Sequence, residues 1–445
     1  MAGGRKSKPA GPAPPSRTLV LDNGASTIKA GFVTDTTTDA PRIIPNCIAR
    51  DRHRKTFVGS ELEKCKDFGE IAFRRPVEKG FIVNWEAQKE IWDREFFDDK
   101  APQRCDPSET RLVLAEQSNS LPALQLHCDQ MVFEEFGFSS YCRVNGPAFN
   151  AYNDVQAIFQ ILRTPDTTID VPAEVILLID SGYSHTTVTP IVQGRPLHPA
   201  IRRLDVGGKL MTNYLTRLLS VRHFDMRSDP YIVNEMKETA CYISLDFKGD
   251  LEKTWKGTRG QRSQDYLTGA GIAKDYVLPD SHTRFHGVVR DYEPGVSAKA
   301  RKGAVSTEDI LTLRNERFVV PELLFRPSDI GIRQPGLGDL VMQSLSVLPV
   351  GLWPGLLANI VVVGGNSLYE NFIQRLQTEI LERVPDSCIV RVARPEDPVT
   401  STWLGAASFA KHQHVEKLAV TKQEYEENGA GWVARKFSAG LGVEL

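Results

Sequence analysis

The sequence has no apolar run approaching the roughly 20 residues that cross a bilayer, so a membrane-spanning helix is not expected. It also lacks an excess of either charge. Across 445 residues, 54 Lys and Arg face 56 Asp and Glu, for a net charge of -2. The whole-chain basic signature of many nucleic-acid binders is therefore missing, and only a local patch remains open. The seven cysteines, Cys47, Cys65, Cys105, Cys128, Cys142, Cys241 and Cys388, include no Cys-x-x-Cys pair. An odd, scattered set argues for a reducing compartment and against a zinc site. His127 beside Cys128, and His282 near His286, have no further ligands at workable spacing and read as structural or exposed. Behind the basic Arg5, Lys6 and Lys8 there is no apolar stretch, so residues 1–16 read as a flexible tail and not as a secretory signal. What remains is ordinary for a soluble globular chain: 41% hydrophobic and 25% charged residues, with length for two or three domains.

Against these absences stands one repeated pattern. In residues 18–32 an apolar run ends in Asp22, turns over Asn23 and Gly24, and leaves through a second run containing Lys29. Asn-Gly between strand-like runs predicts a hairpin, and such turns gather backbone N–H groups into a concavity that suits an anion. Asp22 at the strand end suits a hydrated divalent ion, and Lys29 suits a phosphate. One such motif is weak evidence, because surface hairpins are common. It recurs in residues 174–187, where an apolar strand closes on Asp180 with Ser181 and Gly182 in the turn. Two copies predict a duplicated α/β fold whose halves face each other across a cleft, with room for a nucleoside triphosphate and its metal.

The rest of the chain supplies the frame. Asn84 marks the start of a helix that buries Trp85, Ile91 and Trp92. Residues 111–116 read as a buried strand, and 121–136, 150–162 and 232–246 as helices; the last carries Lys237 and Glu238. Gly207 and Gly208 open a helix over 208–219, leaving N–H groups open to a ligand. Residues 359–376 read as strand, Gly364-Gly365 turn and helix, 403–410 as a small-residue helix, and the remainder as a polar tail. Between 247 and 305 the chain turns rich in Lys, Arg, Gly and Ser, with only 275–278 strand-like. Two basic clusters sit there, Lys248, Lys253, Lys256, Arg259 and Arg262, then Arg284, Arg290, Lys299, Arg301 and Lys302. A disordered insert and a partner or nucleic-acid contact are both open readings. The run Arg50, Arg52, His53, Arg54 and Lys55 reads as a solvated loop.

Taken in order, residues 18–436 resemble actin and the actin-related proteins. The two Asp hairpins are similar to that family's phosphate loops, 236–247 to its base-flanking helix and 363–369 to its adenosine motif; 315–332 is the most specific stretch. The resemblance implies an actin-like two-lobed fold with duplicated ribonuclease-H-like domains around a nucleotide cleft. The first lobe would be 17–170, the second 171–410 with the insert in its outer subdomain, and 411–445 would return to the first. Asp22 and Asp180 would hold water around magnesium, while Lys29 and the turn amides of Asn23, Gly24, Ser181 and Gly182 would take the phosphates of ATP or ADP. Gly208, Lys237, Glu238, Gly364, Gly365 and Tyr369 would surround the nucleoside.

Three departures bear on chemistry. Ala25 stands where actins have serine, Tyr183 and Ser184 where they have Asp-Gly, and the water-positioning glutamine falls near Gly146 with no glutamine close by. Attack on a terminal phosphate needs an oriented water, so the expectation is retained nucleotide, very slow hydrolysis and no catalytic residue. The short span between Arg50 and Gly59 and the large insert both oppose a homopolymer. Asp-Asn-Gly-Ala, Asp-Ser-Gly-Tyr-Ser and Pro-Ser-Asp-Ile-Gly-Ile resemble one nuclear branch of the family. That likeness implies a nuclear subunit, with a cytoplasmic pool allowed, of a remodelling complex that exchanges histone H-2A for its Z variant. Its implied partners are a zinc-finger-HIT subunit and, through the complex, nucleosomal DNA. The competing expectation is a filament-forming cytoskeletal ATPase; a sugar or glycerol kinase finds no supporting segment.

Overall fold

A computed structural model describes residues 15, 17–34, 36–101, 103–159, 174–255, 264–280, 283–294, 308–412 and 414–439. All of the expected N-terminal tail except Pro15, the stretch 160–170, and the basic residues Lys256, Arg259, Arg262, Lys299, Arg301 and Lys302 lie outside the described residues.

The duplication read from the two hairpins is present as two sheets of matching order. In the first, Arg17–Asn23 pairs antiparallel with Thr27–Val33 on one side and parallel with Thr110–Glu116 on the other, and Ser140–Asn145 follows in parallel. In the second, Val175–Ser181 pairs antiparallel with Thr186–Val192 and parallel with Ile360–Val363, and Val392–Ala393 follows in parallel. Strands sandwiched on both faces need near-continuous apolar runs. Leu19, Val20 and Leu21, and again Ile176 to Ile179, are accordingly fully buried. Each leading strand has an aspartate, Asp22 or Asp180, as its penultimate residue at the carboxyl edge of its sheet, where α/β folds place ligands.

The helix expected after Asn84 spans Trp85–Trp92, with the Asn84 side chain accepting the Ala87 N–H at 3.0 Å and Trp85, Ile91 and Trp92 buried. Other boundaries differ. The helix expected over 232–246 is Pro230–Ala240; it stops because the Arg317 guanidinium takes the Ala240 carbonyl at 2.7 Å and Cys241 turns extended. Instead of one helix from 150, a single 3-10 turn at Asn150–Tyr152 precedes a short helix Val155–Ile158 newly capped by Asp154.

The helix Ser401–Ala410, assigned from sequence to the second lobe, packs on the first sheet. Trp403 donates to the Val20 carbonyl at 2.9 Å and fills the space left by Gly31. The expected polar tail is structured: Val420–Thr421 adds to the first sheet beside Ser140–Asn145, and helices Lys422–Asn428 and Ala430–Ala439 follow. The described part of the insert likewise holds more regular structure than its composition suggests. It opens with the helix Phe247–Lys253, capped by Asp246. A three-stranded sheet follows, with Lys274–Val277 between Val288–Asp291 and Ile310–Leu313. Part of its basic charge is internal, since Arg284 and Arg290 converge on Glu308 at 2.6 and 2.8 Å.

Candidate functional site

Between the carboxyl edges of the two sheets lies a cavity of about 430 Å³. Asp22, Asn23, Gly24, Lys29, Asp180, Gly182, Gly208, Lys237, Glu238, Gly364, Gly365 and Tyr369 all line it. Ser181 does not. Its side chain is fully buried, with Oγ 2.9 Å from Thr186 Oγ1 and accepting the Asn366 amide at 3.1 Å.

Side chains with no obvious motif hold the first hairpin in place. Asn23 donates to Gln88 at 2.9 Å and accepts from Trp92 at 3.1 Å, while the Asn46 amide caps the Gly24 carbonyl at 2.8 Å. Lys29 lies 3.6 Å from Asp22 across the strand pair. The register partner of Asp180 is Thr187, so the second aspartate has no matching lysine. Desolvation, then the charge of Asp22, push the Asp180 carboxyl up to about 6, against the opposing pull of Lys29. A desolvated carboxylate raised further by a second carboxylate across a cleft is the arrangement a divalent cation relieves. Among the described residues no group of three or more His, Cys, Asp or Glu could hold a metal. The donor set therefore fits an ion that keeps most of its shell as water and phosphate oxygen, as magnesium does.

The glycines act in two ways. Gly364, at φ +89°, sits flat against the Ser181 carbonyl, where any Cβ would collide; Gly365 has nothing within 4 Å of a Cβ and faces open space. Asn366 then ties the third motif to the second hairpin by donating to the Gly182 carbonyl at 2.7 Å. The helix at Gly208, expected to offer free amides, does not do so at its start. Gly208 N–H donates to the Gly182 carbonyl at 3.1 Å and Lys209 N–H to the Tyr183 carbonyl at 2.8 Å. The amides of Gly24 and Gly182 likewise close their own turns, onto Asp22 and His185 carbonyls. Lys29 lines the cavity beside the first of these turns with its ammonium 3.6 Å from Asp22.

Lys237 is buried, and its ammonium donates to Gly208 O at 3.2 Å, Thr212 Oγ1 at 3.1 Å and Asn234 Oδ1 at 2.9 Å. Those three acceptors use all its protons, so it braces the cavity wall and has no donor left for a base. Desolvation lowers its pKa, with Glu238 opposing. Glu238 accepts from Asn234 at 2.9 Å. The Tyr369 hydroxyl is buried at the cavity wall with no partner, an orphan that a ligand acceptor would satisfy.

Two residues escaped the sequence reading. Gln117 lines the cavity, and its amide donates to Nε2 of His185 from the other lobe at 2.9 Å. Burial and the charge of Arg203 lower His185 to about 3, so the ring is neutral, with its proton on an unpartnered Nδ1. Gly80, at φ +91°, makes room for that ring. Gly146, where the family's glutamine was aligned, does line the cavity. No local pattern could have paired positions 68 residues apart; only the strand ends they follow gave a signal.

Comparison with known proteins agrees with the geometry. A family model described as Actin matches residues 13–438. Actin-related protein 6 of Neurospora crassa is 81% identical, covering 99% of both chains. Actin-like protein arp6 of Aspergillus fumigatus is 47% identical over 95% of each. Actin-related protein 6 of Drosophila melanogaster is 34% identical over 92% of this chain and 97% of that protein. With two matched sheets closing on one cleft, the chain belongs to the actin family.

Proposed function

We propose that the chain is a nucleotide-holding scaffold that binds ATP or ADP with magnesium between its lobes and turns it over little or not at all. The observation that carries this is the pair Asp22 and Asp180, near the ends of equivalent strands on opposite walls of one glycine-lined cavity. Asp22 and Asp180 would hold the magnesium through water, Lys29 would neutralise phosphate, and Gly365 and Tyr369 would face the nucleoside. The bound ion would supply charge neutralisation for the phosphates. Ligand binding to the folded state alone stabilises it by mass action.

Little turnover follows from how the cleft's glutamine is used. Gln117 commits its amide nitrogen to His185 at 2.9 Å and is tied to that ring. The neutral imidazole, at about 3, cannot act as a base with its remaining nitrogen protonated. Against filament formation, Ile48–Arg50 and Thr56–Val58 are joined by a tight turn, Arg54 N–H to Asp51 O at 3.0 Å, with no projecting loop.

The likeness to proteins called actin-related protein 6 extends the proposal. In it the chain is a nuclear subunit of a remodeller that exchanges histone H-2A for its Z variant, meeting a zinc-finger-HIT subunit and reaching nucleosomal DNA through the complex. Co-purification from nuclear extract tests this: histone-exchange subunits as stable neighbours support it, and their absence refutes it. Sedimentation with magnesium and ATP separates it from the filament-forming ATPase, which would pellet.

A further inference from the structure

Besides the Gln117–His185 contact, the lobes meet at a second point on their outer parts. The Phe68 ring of the first lobe lies on Tyr231 of the second, centroids 3.9 Å apart and planes within 7°. Phe73 adds a second ring at 6.3 Å. Beside them Glu70, held at φ +55° where side-chain-bearing residues are uncommon, donates its N–H to Asp229 at 3.0 Å. Phe57, Leu62, Phe68 and Ile71 are buried in one apolar cluster with Met236, Tyr276 and Leu311 of the second lobe.

Asp229 and Tyr231 flank the start of the helix Pro230–Ala240, which also carries Lys237 and Glu238 on the cavity wall. The insert grips the same helix at Glu235. His286 Nδ1 lies 2.8 Å from one carboxylate oxygen; Gly287 N–H and the Tyr276 hydroxyl donate to the other at 3.2 and 3.3 Å. Gly287 sits against the Tyr276 ring, where a side chain would collide, and the His286 ring comes within 6.1 Å of Phe68. Insert, helix and first-lobe tip thus stack in three layers.

We infer that residues 283–291 of the insert brace an aromatic latch, Phe68 on Tyr231, that keeps the cleft closed over a nucleoside phosphate. The ligand's identity rests on the function proposed above; the latch does not. Its consequence is retention: release requires Phe68 to leave Tyr231, and the brace makes that opening rarer. The insert then has an internal task, whatever else its basic surface meets.

Two readouts on the full chain test this, one without ligand. Amide hydrogen exchange over residues 66–73 reports latch opening directly. Release of preloaded etheno-ATP into excess ATP reports retention. His286→Ala, at an exposed position, is expected to raise both rates about five-fold, the scale of one aromatic stacking contact. Phe68→Leu, which keeps an apolar side chain but loses the stack, is expected to match or exceed it. The double variant should be no faster than Phe68→Leu alone, because both act through one latch. Unchanged exchange over 66–73 in His286→Ala, or additive effects in the double variant, would overturn the brace. If exchange rises while the unmodified protein retains no etheno-ATP, the latch stands and the nucleotide reading falls.

Discussion

The two hairpins at the cleft are copies in register, but only the first has its charge compensated. Asp22 faces Lys29 across its strand pair, 3.6 Å away, whereas Asp180 faces Thr187. The first aspartate is compensated inside its own lobe. The second is not, and desolvation and the Asp22 charge raise it to about 6. A duplicated backbone has thus been given one neutralised site and one that calls for a cation from outside. The lobes differ in the same sense elsewhere: the second hairpin is bound to two other motifs, through Asn366 and the amides of Gly208 and Lys209, and the first is held mainly by Asn46, Gln88 and Trp92.

The largest expected break in this comparison comes from Asp180→Asn. It should abolish magnesium-dependent ATP binding, a loss of about 100-fold or more by calorimetry, on the scale of removing a buried charge partner. The empty variant should at the same time become more stable at neutral pH. An acid whose folded pKa, about 6, lies above the unfolded value near 3.9 favours folding when protonated. Its contribution is full below about pH 4 and lost as pH rises through about 6, on the order of 2 kcal/mol. Denaturant melts of the empty protein from pH 4 to 7 should show that loss, and Asp180→Asn should flatten it; an unchanged slope would show that Asp180 is not the group.

Next in size is Gly364→Ala. The left-handed backbone and the Ser181 carbonyl leave no place for a methyl group, so a loss of about 2–3 kcal/mol in denaturant stability is expected. Gly365→Ala, one residue away and facing open space, should cost little in the empty protein. Equal losses at the two positions would remove the distinction between the packed glycine and the open one.

Lys29→Gln sharpens the asymmetry more mildly. ATP affinity should fall about ten-fold, since one phosphate cation is lost while its partner Asp22 is left uncompensated. Smallest is Gln117→Ala, which removes one hydrogen bond between the lobes, about 1 kcal/mol, and should speed nucleotide release several-fold. A fall in residual hydrolysis in that variant would contradict the idea that Gln117 positions His185 and not water.

How much of this was legible depended on the range of the interaction that decided each feature. The two hairpins and the Gly364 turn were readable because strand period, turn residues and glycine lie within a dozen positions. The allegiance of the helix Ser401–Ala410 was not, since it follows from Trp403 reaching Val20 across 383 positions. Nor was the order of the insert. Its central strand pairs with Val288–Asp291, which does not stand out amid the polar insert, and with Ile310–Leu313 beyond the insert's end. Among site residues, type and place were legible for Asp22, Lys29 and Asp180, but availability was not. Lys237 has its donors occupied, Ser181 faces the interior and the Gly208 amide is taken, because neighbours that only the fold brings into place claim them. Hydrogen-bond saturation is a tertiary property that motif reading does not reach.

The central claim is that the cleft keeps a nucleotide it does not consume. Protein purified with magnesium and ATP, freed of unbound ligand and held for hours, would be denatured and its released nucleotide quantified. The account predicts close to one nucleotide per chain with an ATP-to-ADP ratio that does not change over the incubation. Chains that release no nucleotide, or whose ATP is steadily converted to ADP, would contradict it.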